Sequence, residues 1–190
     1  MTEQELVALL QQKEEAAFKE LVTLFQHKVY NTAMGLLQNA RDAEDIAQEV
    51  FIQVYKSISK FKGDSSLTTW IYRITVTKCL DFLRRKKRIR RFGFMHTLFG
   101  EDNKPFYEPE DTTHPGVQLD QKENAAILFK MINKLPESQK TAFILNKIEE
   151  LSYREIAAIL KTTEAAVDSL LQRARINIKK NIQQYINNSL

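Results

Sequence analysis

Apolar residues recur at helical spacing through the first half of the chain. One stripe begins after Asn39 and consists of Ala43, Ile46, Ala47, Val50, Val54 and Ile58. This spacing predicts an amphipathic helix, with Asn39 placed to cap it. The glycine, aspartate and serines at residues 62–66 then predict a turn before a third long helix.

That third helix carries two apolar faces. One face is formed by Leu67, Ile71, Ile74 and Phe82, and the other by Tyr72, Val76, Cys79 and Leu83. A helix that is apolar on two sides is usually enclosed in a bundle, so we expect neighbours on both sides. The helix runs into residues 84–91, where seven of eight residues are basic.

Residues 92–120 interrupt the periodic pattern. They contain most of the glycines and prolines of the chain and turn acidic. A stretch of this length without a pattern is unusual inside a compact domain, so we interpret it as an interdomain linker. Its many aromatic residues indicate that part of it docks on another surface.

The last third of the chain predicts four helical segments. Pro136 and Glu137 open one helix, and Ser152 and Glu155 form a capping box that opens another. After a break at residues 161–163, with a threonine as N-cap, the last helix presents an inward stripe of Val167, Leu171, Ala174, Ile178 and Ile182. Residues 151 to about 180 therefore predict a helix-turn-helix.

Composition agrees with an all-α chain, because 190 residues include only 5 glycines and 4 prolines. The net charge is +4 and the pI is about 9.1, which favours an anionic partner. A single cysteine fits a reducing compartment. Neither a signal sequence nor an apolar run of membrane-spanning length is present, so we expect a cytoplasmic protein without membrane insertion.

An enzymatic function is not expected. His27, His96 and His114 are scattered, Cys79 has no partner at metal-binding spacing, and no glycine-rich phosphate loop or nucleophile motif occurs. The sequence therefore predicts no catalytic residue, no metal site and no cofactor.

The outward face of the last helix suits DNA. It carries Gln172 and Arg173, which can bond to base edges, and Arg175 and Lys179, which can neutralise phosphates. An ordinary helical pair with a solvated polar face has the same lengths and charges, so this pattern alone leaves both interpretations open.

Five segments resemble bacterial sigma factors. LPESQK at 135–140, LSYREIAAIL at 151–160 and VDSLLQRAR at 167–175 resemble region 4, while DAEDIAQEVF at 42–51 and FKGDSSLTTWIYRI at 61–74 resemble region 2. The order and the linker resemble the extracytoplasmic-function (ECF) group of the sigma-70 family. The resemblance implies region 2 at residues 1–91, a flexible linker at 92–120 and region 4 at 121–190, two small helical domains.

The resemblance also implies roles for residues of region 2. Contacts to the β′ clamp helices of core RNA polymerase fall on Asp42, Asp45, Gln48, Glu49 and Gln53. Recognition and melting of the −10 element fall on Phe61, Lys62, Gly63, Asp64, Ser65, Ser66, Trp70, Arg73, Thr77 and Lys78. Without the resemblance, a solvated acidic face and a buried Trp70 and Phe61 are the ordinary interpretations. Aromatic rings interleaved with cations nevertheless suit a single strand.

Duplex contacts are implied for both halves. Phosphate contacts fall on Arg84, Arg85, Lys86, Lys87, Arg88, Arg154, Arg175 and Lys179. Recognition of the −35 element falls on Thr163, Glu164, Ala165, Asp168, Ser169, Gln172 and Arg173. Thr77 stands where the family usually has asparagine, and Asp168 and Leu170 stand where it often has basic residues.

The resemblance thus implies an initiation factor with several partners: core polymerase through the β′ clamp helices and β flap, duplex and melted promoter DNA, and an anti-sigma factor. The alternative is a stand-alone helix-turn-helix regulator that binds an operator as a dimer. Both functions use the helix-turn-helix, so only the first half of the chain separates them.

Overall fold

The described parts of the chain fold into helices. The computed structural model describes the backbone of residues 2–99 and 119–187, and the side chains of residues 2–91 and 126–187. Within these ranges it contains eight α-helices, with a 3-10 turn at Ile58–Lys60 between α3 and α4. The helices are α1 Glu3–Gln11, α2 Glu15–Leu37, α3 Ala40–Ser57, α4 Leu67–Phe99, α5 Leu119–Asn133, α6 Glu137–Lys147, α7 Tyr153–Leu160 and α8 Glu164–Asn187. The all-α prediction is confirmed.

Helices α1–α4 form the first unit, in which α2 packs against α3 and α4. The predicted stripe of α3 points into this core, where Ala43, Ile46, Val50 and Val54 are at most 1% exposed. Asn39 caps α3, because its Oδ1 accepts a hydrogen bond from the backbone N–H of Asp42 at 2.8 Å. The polar face of α3 is therefore left outside the core.

Helices α5–α8 form the second unit, in which α8 packs against the other three. Val167, Leu171, Ala174 and Ile178 are buried as the stripe predicted. Ser152 accepts from the N–H of Glu155, whose carboxylate accepts from the N–H of Ser152, so the predicted capping box is present. α7 and α8 form the predicted helix-turn-helix.

The helix bounds differ from the predicted linker at both ends. α4 continues to Phe99 and α5 begins at Leu119, so residues 92–99 and 119–120 are helical. The sequence contains no proline before Pro105, and Gly93 alone does not stop a helix that is already formed. The predicted docking of the linker lies outside the described residues.

The two units pack against each other in a single hydrophobic core. α6 contacts α2, and α7 contacts α4. The cluster that contains Met34 and Leu36 of α2 also contains Ile144 and Leu145 of α6. The sequence pattern predicts two domains on a linker, and this continuous core was not predicted. No helix in the described ranges is long and apolar enough to cross a membrane.

Candidate nucleic-acid and polymerase interface

The loop between the 3-10 turn and α4 is shaped by a glycine and a serine. Gly63 has a φ of 78°, a left-handed conformation that is ordinary for glycine and strained for other residues. The backbone N–H of Thr69 donates to Oγ of Ser66 at 3.1 Å, which satisfies a free donor at the start of α4. Lys62, Gly63 and Asp64 are exposed at the tip.

Two aromatic rings stand beside this loop. The rings of Phe61 and Trp70 lie 5.2 Å apart at an interplanar angle of 52°. Both residues are half-buried, so part of each ring remains at the surface. Trp70 therefore contributes to the packing with one part of its ring, and the exposed part leaves a surface on which a base can stack.

Arg73 already has a partner in the other unit. Its Nε and Nη2 donate to the backbone carbonyl of Ala158 in α7 at 3.0 and 2.7 Å. Thr77, one turn further along α4, is exposed. The side chain implied for the melted strand is therefore engaged by the helix-turn-helix.

Two cations of α4 bridge to the acidic face of α3. Lys78 lies 3.1 Å from Glu49, and Lys86 lies 2.8 Å from Asp42. The DNA-contacting set and the polymerase-contacting set implied by the resemblance are thus adjacent surfaces. Asp45 and Gln48 are exposed, and Gln53 is half-buried.

The rest of the basic segment continues along exposed α4. Arg84 pairs with Asp81 at 3.3 Å on the same helix, and Lys87 pairs with Glu137 of α6 at 2.7 Å. The Lys87 ammonium lowers the pKa of the Glu137 carboxyl. Arg85 and Arg88 are exposed.

A groove with a volume of about 1240 Å³ runs between α4 and the helix-turn-helix. Its α4 wall includes Trp70, Arg73 and Arg88, and its other wall includes Leu160 and Lys161. Residues implied for the −10 element therefore line a groove whose opposite wall is the end of α7.

The recognition helix leaves its polar face in solvent. Ser169, Gln172 and Arg173 are exposed on α8, as are Thr163, Glu164 and Ala165 around its start. Asp168 is half-buried and accepts a hydrogen bond from Nε2 of Gln172 at 2.9 Å. This bond pairs the acidic residue that departs from the family pattern with a side chain implied for base contacts.

Phosphate-contacting candidates surround this face. Arg154 of α7 and Arg175 and Lys179 of α8 are all exposed. They extend the positive surface of the second unit beyond the recognition residues.

The residues that join the two units were not predicted from the sequence. Lys140 is 5% exposed and donates from Nζ to the carbonyl of Leu36 at 2.6 Å. Tyr72 donates to Oε2 of Glu149 at 2.7 Å. Two features of the sequence could have indicated this packing. One is Gly35, a glycine in a helix interior, and the other is the second apolar face of α4.

Comparison with known proteins identifies both halves. Residues 21–89 match the family described as Sigma-70 region 2, and residues 125–178 match Sigma-70, region 4. The RNA polymerase sigma-H factor of Pseudomonas aeruginosa is 32% identical over 181 residues, 95% of this chain and 94% of the relative. The ECF RNA polymerase sigma-E factor of Escherichia coli K12 is 32% identical over 186 residues, 98% and 97% of the two chains.

Solved structures show the same fold. CnrH, in complex with the cytosolic domain of CnrY, superposes with a TM-score of 0.68 at 20% identity, covering 94% of this chain and 96% of CnrH. RpoE of Bartonella quintana, in complex with the anti-sigma factor NepR, superposes with a TM-score of 0.62 at 22% identity, covering 87% and 96%. The chain belongs to the ECF group of the sigma-70 family and directs promoter-specific initiation by RNA polymerase.

Proposed function

We propose that region 2 of this sigma factor carries its polymerase and −10 surfaces side by side on α3 and α4. The observation that carries this proposal is the pair of salt bridges from Lys78 to Glu49 and from Lys86 to Asp42. They place the acidic face of α3, which includes exposed Asp45 and Gln48, directly beside the cations of α4. A melted strand on α4 then lies next to the polymerase clamp on α3.

The −10 element is bound by the loop at residues 61–66 and by the start of α4. The exposed loop tip accepts an extruded base, and Trp70 offers a ring for stacking. Arg73 and Thr77 follow at one-turn spacing, Lys78 comes directly after Thr77, and all three contact the strand. The basic residues from Arg84 to Arg88 contact the duplex backbone upstream, where each phosphate neutralised adds salt-dependent affinity.

The −35 element is bound by the start of α8. Ser169, Gln172 and Arg173 reach base edges, while Arg154, Arg175 and Lys179 contact phosphates. Asp168 orients Gln172 through their hydrogen bond and also accepts from a cytosine amino group. The boundaries that we propose are residues 1–91 for region 2, 92–120 for the linker and 121–190 for region 4. We propose no catalytic role for any residue.

We also propose that an anti-sigma protein holds this chain inactive. RpoE of Bartonella quintana was solved with the anti-sigma factor NepR, and CnrH was solved with the cytosolic domain of CnrY. The groove between α4 and α7 is a surface that such a partner can cover together with the cations of both units.

The decisive experiment is capture of core RNA polymerase by the full chain, followed by run-off transcription on genomic promoter fragments. A sigma factor binds the core enzyme and starts transcription only in its presence. A stand-alone regulator, the rival function, binds duplex DNA as a dimer and captures no polymerase. Failure of both capture and transcription would contradict the proposal.

Asp45→Lys tests the polymerase surface. Reversing an exposed charge in the proposed interface should weaken core binding about tenfold, or ~1.4 kcal/mol, measured by fluorescence titration. Glu44→Lys is the matched control, because Glu44 is the preceding exposed acid of α3 and lies about 100° around the helix from Asp45. Equal losses in both variants would indicate a general charge effect and would contradict the assignment.

A further inference from the structure

Gly35 marks the closest approach between the two regions. It is buried in α2, and a β-carbon placed there would lie 2.9 Å from Cγ2 of Ile144 in α6. Glycine in a helix interior is less favourable than alanine by about 1 kcal/mol. The packing of α6 explains this glycine, since even a methyl group would force the β-branched Ile144 to move.

Lys140 of α6 stabilises the same contact between α2 and α6. Its ammonium donates to the carbonyl of Leu36, in the last turn of α2, where carbonyls lack helical partners. It also donates to Oδ1 of Asn133. These hydrogen bonds satisfy a carbonyl that has no helical partner, and a neutral amine also has N–H groups with which to make them. Lys140 therefore caps a helix of region 2 although it belongs to region 4.

Two consecutive residues of α4 complete the joint. Tyr72, which is 4% exposed, donates to Glu149, and Arg73 donates to Ala158. Cys79 lies on the apolar face that begins with Tyr72, is 0% exposed, and is close enough to Lys140 for the ammonium to act on its pKa. This face of α4 is thus covered by region 4.

We propose that these contacts form a lock by which the chain closes on itself without a partner. This inference rests on the proposed function, because the lock occupies Arg73, which we assign to the melted strand. The closed chain keeps the −10 residue Arg73 bound to Ala158 and leaves the recognition face of α8 exposed. Opening exposes Lys140 and Glu149 to water, where both charges are well solvated, so the joint is able to separate.

Two variants of the full chain test the lock. Gly35→Gln inserts a side chain between α2 and α6, and Lys140→Gln removes the ammonium that caps α2. We expect both to increase the radius of gyration in small-angle X-ray scattering. The reaction of Cys79 with an aromatic disulfide should accelerate about tenfold or more, because local opening governs access to a buried thiol. Asn31→Gln, at an exposed position of α2, is the matched control and should change neither quantity.

The outcomes separate the lock from the function. Circular dichroism shows whether each variant keeps its helix content. If Gly35→Gln fails to fold, Lys140→Gln still tests the lock, because this substitution changes no residue of α2. The lock is overturned if the wild-type chain is already extended or if neither variant expands it. A wild-type chain that is extended and captures polymerase refutes the lock alone, whereas an expanded variant that captures none refutes the proposed function.

Discussion

At the scale of single residues, several cations of α4 are already engaged within the chain. Arg73 binds a backbone carbonyl, and Lys78, Lys86 and Lys87 pair with carboxylates. Partly exposed pairs of this kind contribute about 0–1 kcal/mol each. At the DNA contacts that we propose, promoter phosphates would therefore displace these partners at little cost.

Lys140 makes a prediction about pH. Burial lowers its pKa to about 8 from 10.5, so the folded chain releases this proton at a lower pH than the unfolded chain does. The free energy of unfolding should therefore increase between about pH 7 and pH 8.5, by roughly 0.8 kcal/mol from this group. Urea titrations at the two pH values measure the increase.

The titratable groups near Lys140 determine the pH range in which its effect on the free energy of unfolding can be measured, and they determine the control variant. Cys79, Lys87 and Glu137 act on its charge. Burial raises the pKa of Cys79 to about 12, so the thiol opposes the trend only as the pH approaches its ordinary value of 9. Lys140→Met should abolish the increase in the free energy of unfolding. If this variant shows an increase of the same size, another group is responsible for it.

At the scale of the helix, α7 depends on its cap. It has only eight residues, and Ser152 and Glu155 satisfy donors at its start. Isolated helices of this length are unstable in water, so packing on α4 and α8 and the capping box both support it. α7 in turn braces the recognition helix.

Ser152→Ala should lower the free energy of unfolding by about 1 kcal/mol, because an N-cap hydroxyl is lost. Affinity of the holoenzyme for a −35 duplex should fall with it, as α7 frays and α8 loses its support. Chemical unfolding and fluorescence anisotropy measure the two effects. Ser138→Ala, at an exposed position of α6, is the control; an equal loss there would show that the capping box is not responsible.

Local patterns predicted the elements but not their assembly. The caps at Asn39 and Ser152 and the stripes of α3 and α8 were predictable, because each depends on residues within a few positions of one another. The roles of Gly35 and Lys140 were not predictable, because each residue contacts a partner about a hundred residues away in the sequence. The −10 and −35 assignments came from family resemblance and remain proposals.

At the scale of the whole molecule, the continuous core predicts one cooperative unfolding transition. Trp70, the only tryptophan, reports on region 2, whereas circular dichroism reports on helices of both regions. The two signals should change together in the wild-type chain. In Gly35→Gln they should separate, because each region then unfolds by itself. Separate transitions in the wild-type chain would contradict a shared core.

The joint at Gly35 also has a consequence for how the factor competes for polymerase. Nineteen residues connect Phe99 to Leu119. Two surfaces joined by a short linker meet at an effective concentration of roughly millimolar order, which dilution does not change. Core enzyme binds in a second-order reaction, and its apparent affinity falls in proportion to the open fraction. At a given supply of core enzyme, closure therefore raises the concentration of the factor needed to occupy that enzyme, by the inverse of the open fraction.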